Sequence, residues 1–128
     1  MPEKTSQPLS RKLLVLLLSA SLTPLSSKVL TAQVRTTVAK IMSSPSEYNQ
    51  QTVSVTGKIQ RLKHATSKNG KEYTTFTLSD SGRYIHVFSW GKLGLSNGQA
   101  VTVTGVFYET KQVNQYTFKN EIEAQLVQ

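Results

Sequence analysis

The sequence predicts an all-β domain, a single closed barrel of five strands preceded by a short helix, and three observations carry that prediction. Across residues 53–124, five segments alternate apolar and polar side chains with the period of two that a pleated strand imposes. Glycine interrupts the first and fourth of these segments at matching places, Gly57 and Gly105, where a small barrel needs a sharp bend. Turn-forming clusters at 67–71, 80–82 and 96–98 separate consecutive segments. Closing the sheet hides its edges and leaves the outer face of the first three strands free to meet an extended ligand.

The amino terminus stands apart from this pattern. Arg11 and Lys12 lead into an apolar run of ten residues, 13–22, which is too short to span a hydrocarbon core and is followed by Thr23, Pro24 and Lys28. That layout reads as an export signal: 1–32 is expected to be a signal peptide and 33–128 the mature domain, periplasmic or secreted, with no stable membrane span. The alternative is an apolar helix at the start of a cytoplasmic protein.

The remaining elements follow in order. Val34, Val38, Ile41 and Met42 recur at helical spacing, so a helix over 34–42 should cap the barrel, and Ser43, Ser44, Pro45 and Ser46 stop it. In the first strand Val53, Val55, Gly57 and Ile59 share the inner face, opposite Ser54, Thr56, Lys58 and Gln60. The second strand turns Phe76 and Leu78 inward and Tyr73, Thr75 and Thr77 outward. The third places Ile85 and Val87 inside, with Tyr84, His86 and Phe88 on the other side. Trp90 shares that outer parity, but its position just before Gly91 predicts burial against the amino-terminal helix or the 91–98 loop. Val101, Val103, Gly105 and Phe107 point inward from the fourth strand. The fifth is the least regular: Phe118, Ile122 and Ala124 share an inward parity, but Asn120 shares it too, which predicts a bulge near that residue. Glu121 and Glu123 alternate with Ile122 and are expected to face solvent.

With 128 residues, the chain supports one small core and no second domain. The whole chain carries a net charge of +8, and 11 basic against 6 acidic residues from Gln33 onward leave the mature domain at +5. A moderately basic domain favours polyanionic partners. The absence of cysteine excludes a disulfide framework and a thiolate metal site.

The order of a helix, Val53-Ser54-Val55-Thr56-Gly57-Lys58-Ile59, the hairpin Lys68-Asn69-Gly70-Lys71, Phe76-Thr77-Leu78-Ser79-Asp80, Ile85-His86-Val87-Phe88 and Gly98-Gln99-Ala100-Val101-Thr102-Val103-Thr104-Gly105 resembles the oligonucleotide/oligosaccharide-binding (OB) fold. It is most similar to the anticodon-binding type found in aminoacyl-tRNA synthetases and bacterial replicative polymerases, and also to small exported bacterial OB-fold proteins with a leading helix and a Pro-x-x-Tyr turn, here Pro45 to Tyr48. The resemblance covers residues 52–124 and implies a Greek-key barrel that binds without catalysis. It does not by itself name the ligand, because the barrel serves many binding roles.

Two sets of residues are candidates for that binding. Lys58, Arg61, Lys63, Lys68 and Lys71 fall within fourteen residues opposed only by Glu72, a positive rim suited to phosphates. The competing explanation is a solvated hairpin whose lysines discourage edge pairing. Tyr73, Tyr84, His86 and Phe88 share the outward parity and form a platform on which bases could stack. These nine residues predict a weakly selective single-stranded nucleic-acid binder using the outer face of the first three strands. The alternative is an exported adaptor that takes a protein or an anionic glycan on the same face.

Catalysis finds little support. His64 and His86 lie far apart with no carboxylate pattern around either, so no metal site is expected. Asp80 belongs to a turn and lacks an acid/base partner. No cofactor is implied, and the chain reads as a binding module and not as an enzyme.

Overall fold

The computed structural model describes residues 32–128, so the proposed signal segment, apart from Ala32, lies outside the described residues. The described chain runs β1 (Val34–Arg35), α1 (Val38–Ser43), α2 (Pro45–Tyr48), β2 (Thr52–Thr66), β3 (Glu72–Asp80), β4 (Arg83–Trp90), β5 (Ala100–Val113) and β6 (Tyr116–Val127). Strands β2 to β6 are the five predicted from alternation. They pair in the order β2-β3-β4-β6-β5, and β5 returns to β2 to close the barrel. The β4–β6 pair is parallel while β2–β5 and β5–β6 are antiparallel, which gives the Greek-key path of the OB fold.

The predicted inner face forms the core. Val53, Val55, Ile59, Phe76, Leu78, Ile85, Val87, Val101, Val103, Phe107 and Ile122 are all buried. Val38 and Ile41 of α1 join them and plug one end of the barrel. The helix is shorter than its spacing predicted. Val34 and Arg35 pair with Val53 and Ser54 as a sixth, two-residue strand, and Thr36 N–H donates to the Ser54 carbonyl at 3.1 Å. The cause is Thr37, whose extended backbone and hydroxyl, accepting from Lys40 N–H, cap the helix at that point. Beyond it, Pro45 at the first position of α2 opens a single helical turn where an irregular stop was expected.

Both mid-strand glycines answer to close contact between strands. A Cβ on Gly57 would lie 2.7 Å from the Ser79 carbonyl oxygen, and one on Gly105 would lie 2.7 Å from Ala124 Cα. Beside Gly105 the β5–β6 register slips by one residue, because Gln125 is the extra residue opposite the Thr104–Gly105 step. The bulge predicted near Asn120 is therefore found at the other end of β6. Asn120 instead adopts a left-handed backbone, φ 54°, within an unbroken register flanked by the Tyr108–Glu121 and Thr110–Lys119 pairs. Asparagine tolerates that region better than most residues.

Strand β2 also runs further than predicted, through Arg61 to Thr66. A register shift between Gln60 and Lys63 absorbs one residue, with Arg61 at φ 55°, and the Asn97 side chain accepts from the freed Leu62 N–H at 2.9 Å. At the β3–β4 turn, Ser81 and Gly82 both have positive φ, and Asp80 pairs with Arg83 across a tight two-residue loop.

Candidate functional site

Strand register arranges the outer face of β2, β3, β4 and β6 into four ranks. Ala65, Tyr73 and Trp90 lie across one rank, and Lys63, Thr75, Phe88 and Glu123 across the next. Gln60, Thr77, His86 and Glu121 form the third, followed by Lys58, Ser79 and Tyr84. Residues directly opposite in a ladder point to the same side of the sheet, so these side chains present one continuous surface.

The first two ranks hold an aromatic cluster. The Tyr73 and Phe88 rings stack with centroids 5.3 Å apart, and Trp90 meets Phe88 edge-on at 5.0 Å and Tyr73 at 6.2 Å. Trp90 is 48% exposed, so the burial predicted for it does not occur. The reason is Thr74, which is fully buried on the opposite side of β3. Its hydroxyl donates to the Gly91 carbonyl at 2.7 Å and accepts from Leu93 N–H at 3.0 Å, drawing the 91–93 loop away from the outer face. Tyr84 shares the face but stands at its far end, 66% exposed and outside the cluster.

Two hairpins flank the aromatics. The 67–71 turn, closed by Ser67 N–H donating to the Lys71 carbonyl at 2.8 Å, sets the Lys71 Nζ 5.0 Å from the Trp90 ring centre. On the other side the long β5–β6 hairpin brings up Lys111, Val113 and Phe118. Together with Thr75, His86, Glu121 and Glu123, they and the aromatic cluster enclose a groove of about 400 Å³. Phe118 was expected in the core from its parity. The left-handed Asn120 breaks the pleat, so Phe118 lines the groove on the same side as Glu121 and Glu123.

The carboxylates depart furthest from expectation. Glu121, predicted to face solvent, is buried on the groove floor, its side chain 4% exposed. Its carboxylate oxygens lie 3.7 Å from Lys111 Nζ and 3.7 Å from His86 Nε2. Burial pushes the Glu121 carboxyl above its usual range, with Lys111 and His86 opposing the shift. Lys111 instead donates to Glu123 at 3.0 Å and lies 5.1 Å from the Phe88 ring centre.

The predicted residues thus divide. Tyr73, His86, Phe88 and Lys71 come together at the groove, and Lys63 borders it on the Thr75–Phe88 rank. Lys58 belongs to a separate open depression with Ser79, Asp80 and Ser81, Arg61 sits in the β2 bulge, and Lys68 extends from the 67–71 turn. Trp90, Lys111, Phe118, Glu121 and Glu123 complete the groove. Alternation alone placed Trp90 on the correct face. Nothing in the sequence revealed that β6 would bring two carboxylates beside β4. His64 is elsewhere, its Nε2 2.9 Å from the Leu93 carbonyl oxygen. Among the described residues no group of three His, Cys, Asp or Glu could hold a metal ion, and no helix is long and apolar enough to cross a membrane.

No family model and no curated protein sequence matches the chain. Solved structures do. The crystal structure of yeast Stn1 and Ten1 matches with a TM-score of 0.58 at 10% identity, covering 76% of this chain and 62% of that one. A putative aspartyl-tRNA synthetase from Leishmania major Friedlin matches with a TM-score of 0.57 at 12% identity, covering 82% of this chain and 22% of that one. The second single-stranded DNA-binding protein from Mycobacterium smegmatis matches with a TM-score of 0.49 at 24% identity, covering 60% of this chain and 82% of that one. The chain thus spans less than two thirds of the first two structures' length, and at these identities the likeness is one of fold.

Proposed function

We propose that the protein binds single-stranded nucleic acid across the outer face of β2, β3 and β4, as a binding module without catalytic activity. One observation carries this reading: three aromatic rings, Tyr73, Phe88 and Trp90, pack against one another in a groove between two hairpins, with a lysine ammonium over Trp90 and another over Phe88. Each exposed ring face offers a base about 1–3 kcal/mol of stacking, with little demand on sequence. The phosphates follow the basic border, where Lys71 stands over Trp90, Lys63 shares the Thr75–Phe88 rank, and Lys58, Arg61 and Lys68 extend the track. Lys111 contributes less to phosphate binding, because two carboxylates already hold it.

Trp90 is the single tryptophan of the chain, so its intrinsic fluorescence reports on the site directly. Titration with a thymidine dodecamer at low salt should quench that fluorescence and raise the anisotropy of a labelled strand in parallel. If neither signal changes, single-stranded nucleic acid is not the partner, and a protein or an anionic glycan on the same face becomes the reading to pursue.

A further inference from the structure

The charges lining the groove do not cancel. Glu121 and Glu123 pair with a single lysine, Lys111, at 3.7 and 3.0 Å, so with His86 neutral these groups sum to −1. A proton on His86 brings the sum to zero. The imidazole is placed to carry that proton, because its Nε2 lies 3.7 Å from the Glu121 carboxylate while its side chain lines the groove and is 45% exposed. Histidine is also the side chain whose ordinary titration falls between about pH 5 and 8. Its surroundings come from every strand of the barrel. Thr77 on β3 lies opposite His86, with the equally uncharged Gln60 on β2 beyond it, Lys63 one rank away and Tyr73 further along the groove. β6 supplies Glu121 and Glu123, and β5 supplies Lys111 and Tyr108, the latter opposite Glu121. On β4 itself Tyr84 and Phe88 flank the imidazole, while α1 reaches the barrel from the core side through Val38 and Ile41. Glu121 is the nearest charge, kept ionised at a burial cost that Lys111 and His86 offset.

We propose that binding of a single strand and protonation of His86 are coupled, so that the protein holds its ligand more tightly as pH falls from about 8 to about 5.5. The coupling rests on the single-strand binding proposed above and adds a regulation to it. Its sign follows from charge: phosphates running along the Lys63 and Lys71 border meet a groove floor of net −1 when His86 is neutral and of net zero when it is protonated. The protonated groove repels them less. One unit charge about 10 Å from a phosphate changes affinity between about two-fold and about fifteen-fold, for an effective dielectric constant between about 80 and about 20. Because coupling between two ligands is reciprocal, a bound strand must strengthen the hold of His86 on its proton by the same factor.

The test measures the affinity of a labelled thymidine dodecamer without terminal phosphates at about pH 8 and about pH 5.5 and one low salt concentration, a range in which neither thymine nor the phosphodiester titrates. Affinity should be about two- to fifteen-fold higher at the lower pH. His86→Asn should lose that gain, whereas His64→Asn, which alters an imidazole held at the Leu93 carbonyl outside the groove, should keep it. The chain has two histidines, so nuclear magnetic resonance of the imidazoles reads the coupling directly in the unaltered protein, and either variant assigns the two signals. Saturating dodecamer should move the protonation midpoint of His86 upward by about 0.3 to 1.2 pH units, the same factor in logarithmic form. Equal affinity at both pH values, or a His86 midpoint that the strand does not move, would overturn the coupling and leave single-strand binding intact. A gain that survives His86→Asn, in a variant that circular dichroism shows to be folded, would overturn it as well. Failure of the dodecamer to bind at either pH would remove both the coupling and the binding it regulates.

Discussion

Phe88 and Trp90, two residues apart on β4, cross at right angles with their ring centres 5.0 Å apart, while Phe76 on the neighbouring strand is buried within the barrel. Phe76 and Phe88 thus occupy opposite faces of one sheet. Each face of the sheet is set by the period-two pleat, and the Phe76–Val87 and Thr75–Phe88 pairs lock β3 and β4 into that register.

Phe76→Ala and Phe88→Ala should therefore fail differently. The first removes a fully buried ring and should cost about 3 to 5 kcal/mol of stability through the cavity it leaves. The second should cost less stability while weakening strand binding by about 1 to 3 kcal/mol. Thermal melts and a titration of each variant separate the two effects. If Phe88→Ala melts as early as Phe76→Ala, Phe88 serves the core and the stacking platform loses its centre.

The basic border predicts a salt dependence. Three to five phosphate contacts on a single strand correspond to a log–log slope of about −2 to −3.5, at about −0.7 per phosphate. Replacing Lys68 and Lys71 together with alanine should flatten the slope by about 1.4, while Lys111→Ala should flatten it less because Glu121 and Glu123 already neutralise that lysine. A slope unaffected by the Lys68 and Lys71 changes would remove the 67–71 hairpin from the phosphate track.

Most of the barrel was legible because alternation is a strong signal wherever one face is buried. Val53, Val55, Ile59, Phe76, Leu78, Ile85, Val87, Val101, Val103 and Phe107 lie on the faces their parity predicts, and Tyr73, Tyr84, His86 and Phe88 lie opposite. What escaped depends on contacts between distant residues or on one backbone dihedral. The length of α1 was decided by Thr37 as a cap, against the apolar spacing of Val34. Trp90 stayed exposed because Thr74, sixteen residues earlier, holds the following loop on the other side. Asn120 held the clue to β6, since an asparagine at an apolar parity marked an irregular backbone. That its left-handed turn would move Phe118 into the groove could be seen only once β4 and β6 were known to pair.

The amino-terminal segment makes a prediction independent of the barrel. We propose that the basic lead at Arg11 and Lys12 and the short apolar run at 13–22 form a signal removed on export. Sequencing the amino terminus of protein recovered from fractionated cells should then find it beginning between about Leu22 and Gln33. Intact Met1 in the soluble cytosolic fraction would contradict export and leave the nucleic-acid reading in the compartment where it meets most single strands.

Glu121 should also make stability depend on pH in a direction that can be worked out. Burial disfavours its carboxylate, and Lys111 and His86 only partly offset this, so the folded state holds the proton more tightly than the unfolded chain does. Glu121 therefore favours folding most at pH below its ordinary value of 4.5, and that advantage is lost as pH rises through the raised folded value. Glu121→Gln removes the titration while keeping the shape. Its melting temperature relative to the unaltered protein should improve as pH is raised from below 4.5 to neutrality and then level off. The same comparison in a His86→Asn background separates the carboxylate from the imidazole that faces it, while Lys111 and Glu123 remain to supply the other charges in contact. A difference in melting temperature that stays constant across the range would mean that Glu121 is solvated in solution, against the burial of its side chain on the groove floor.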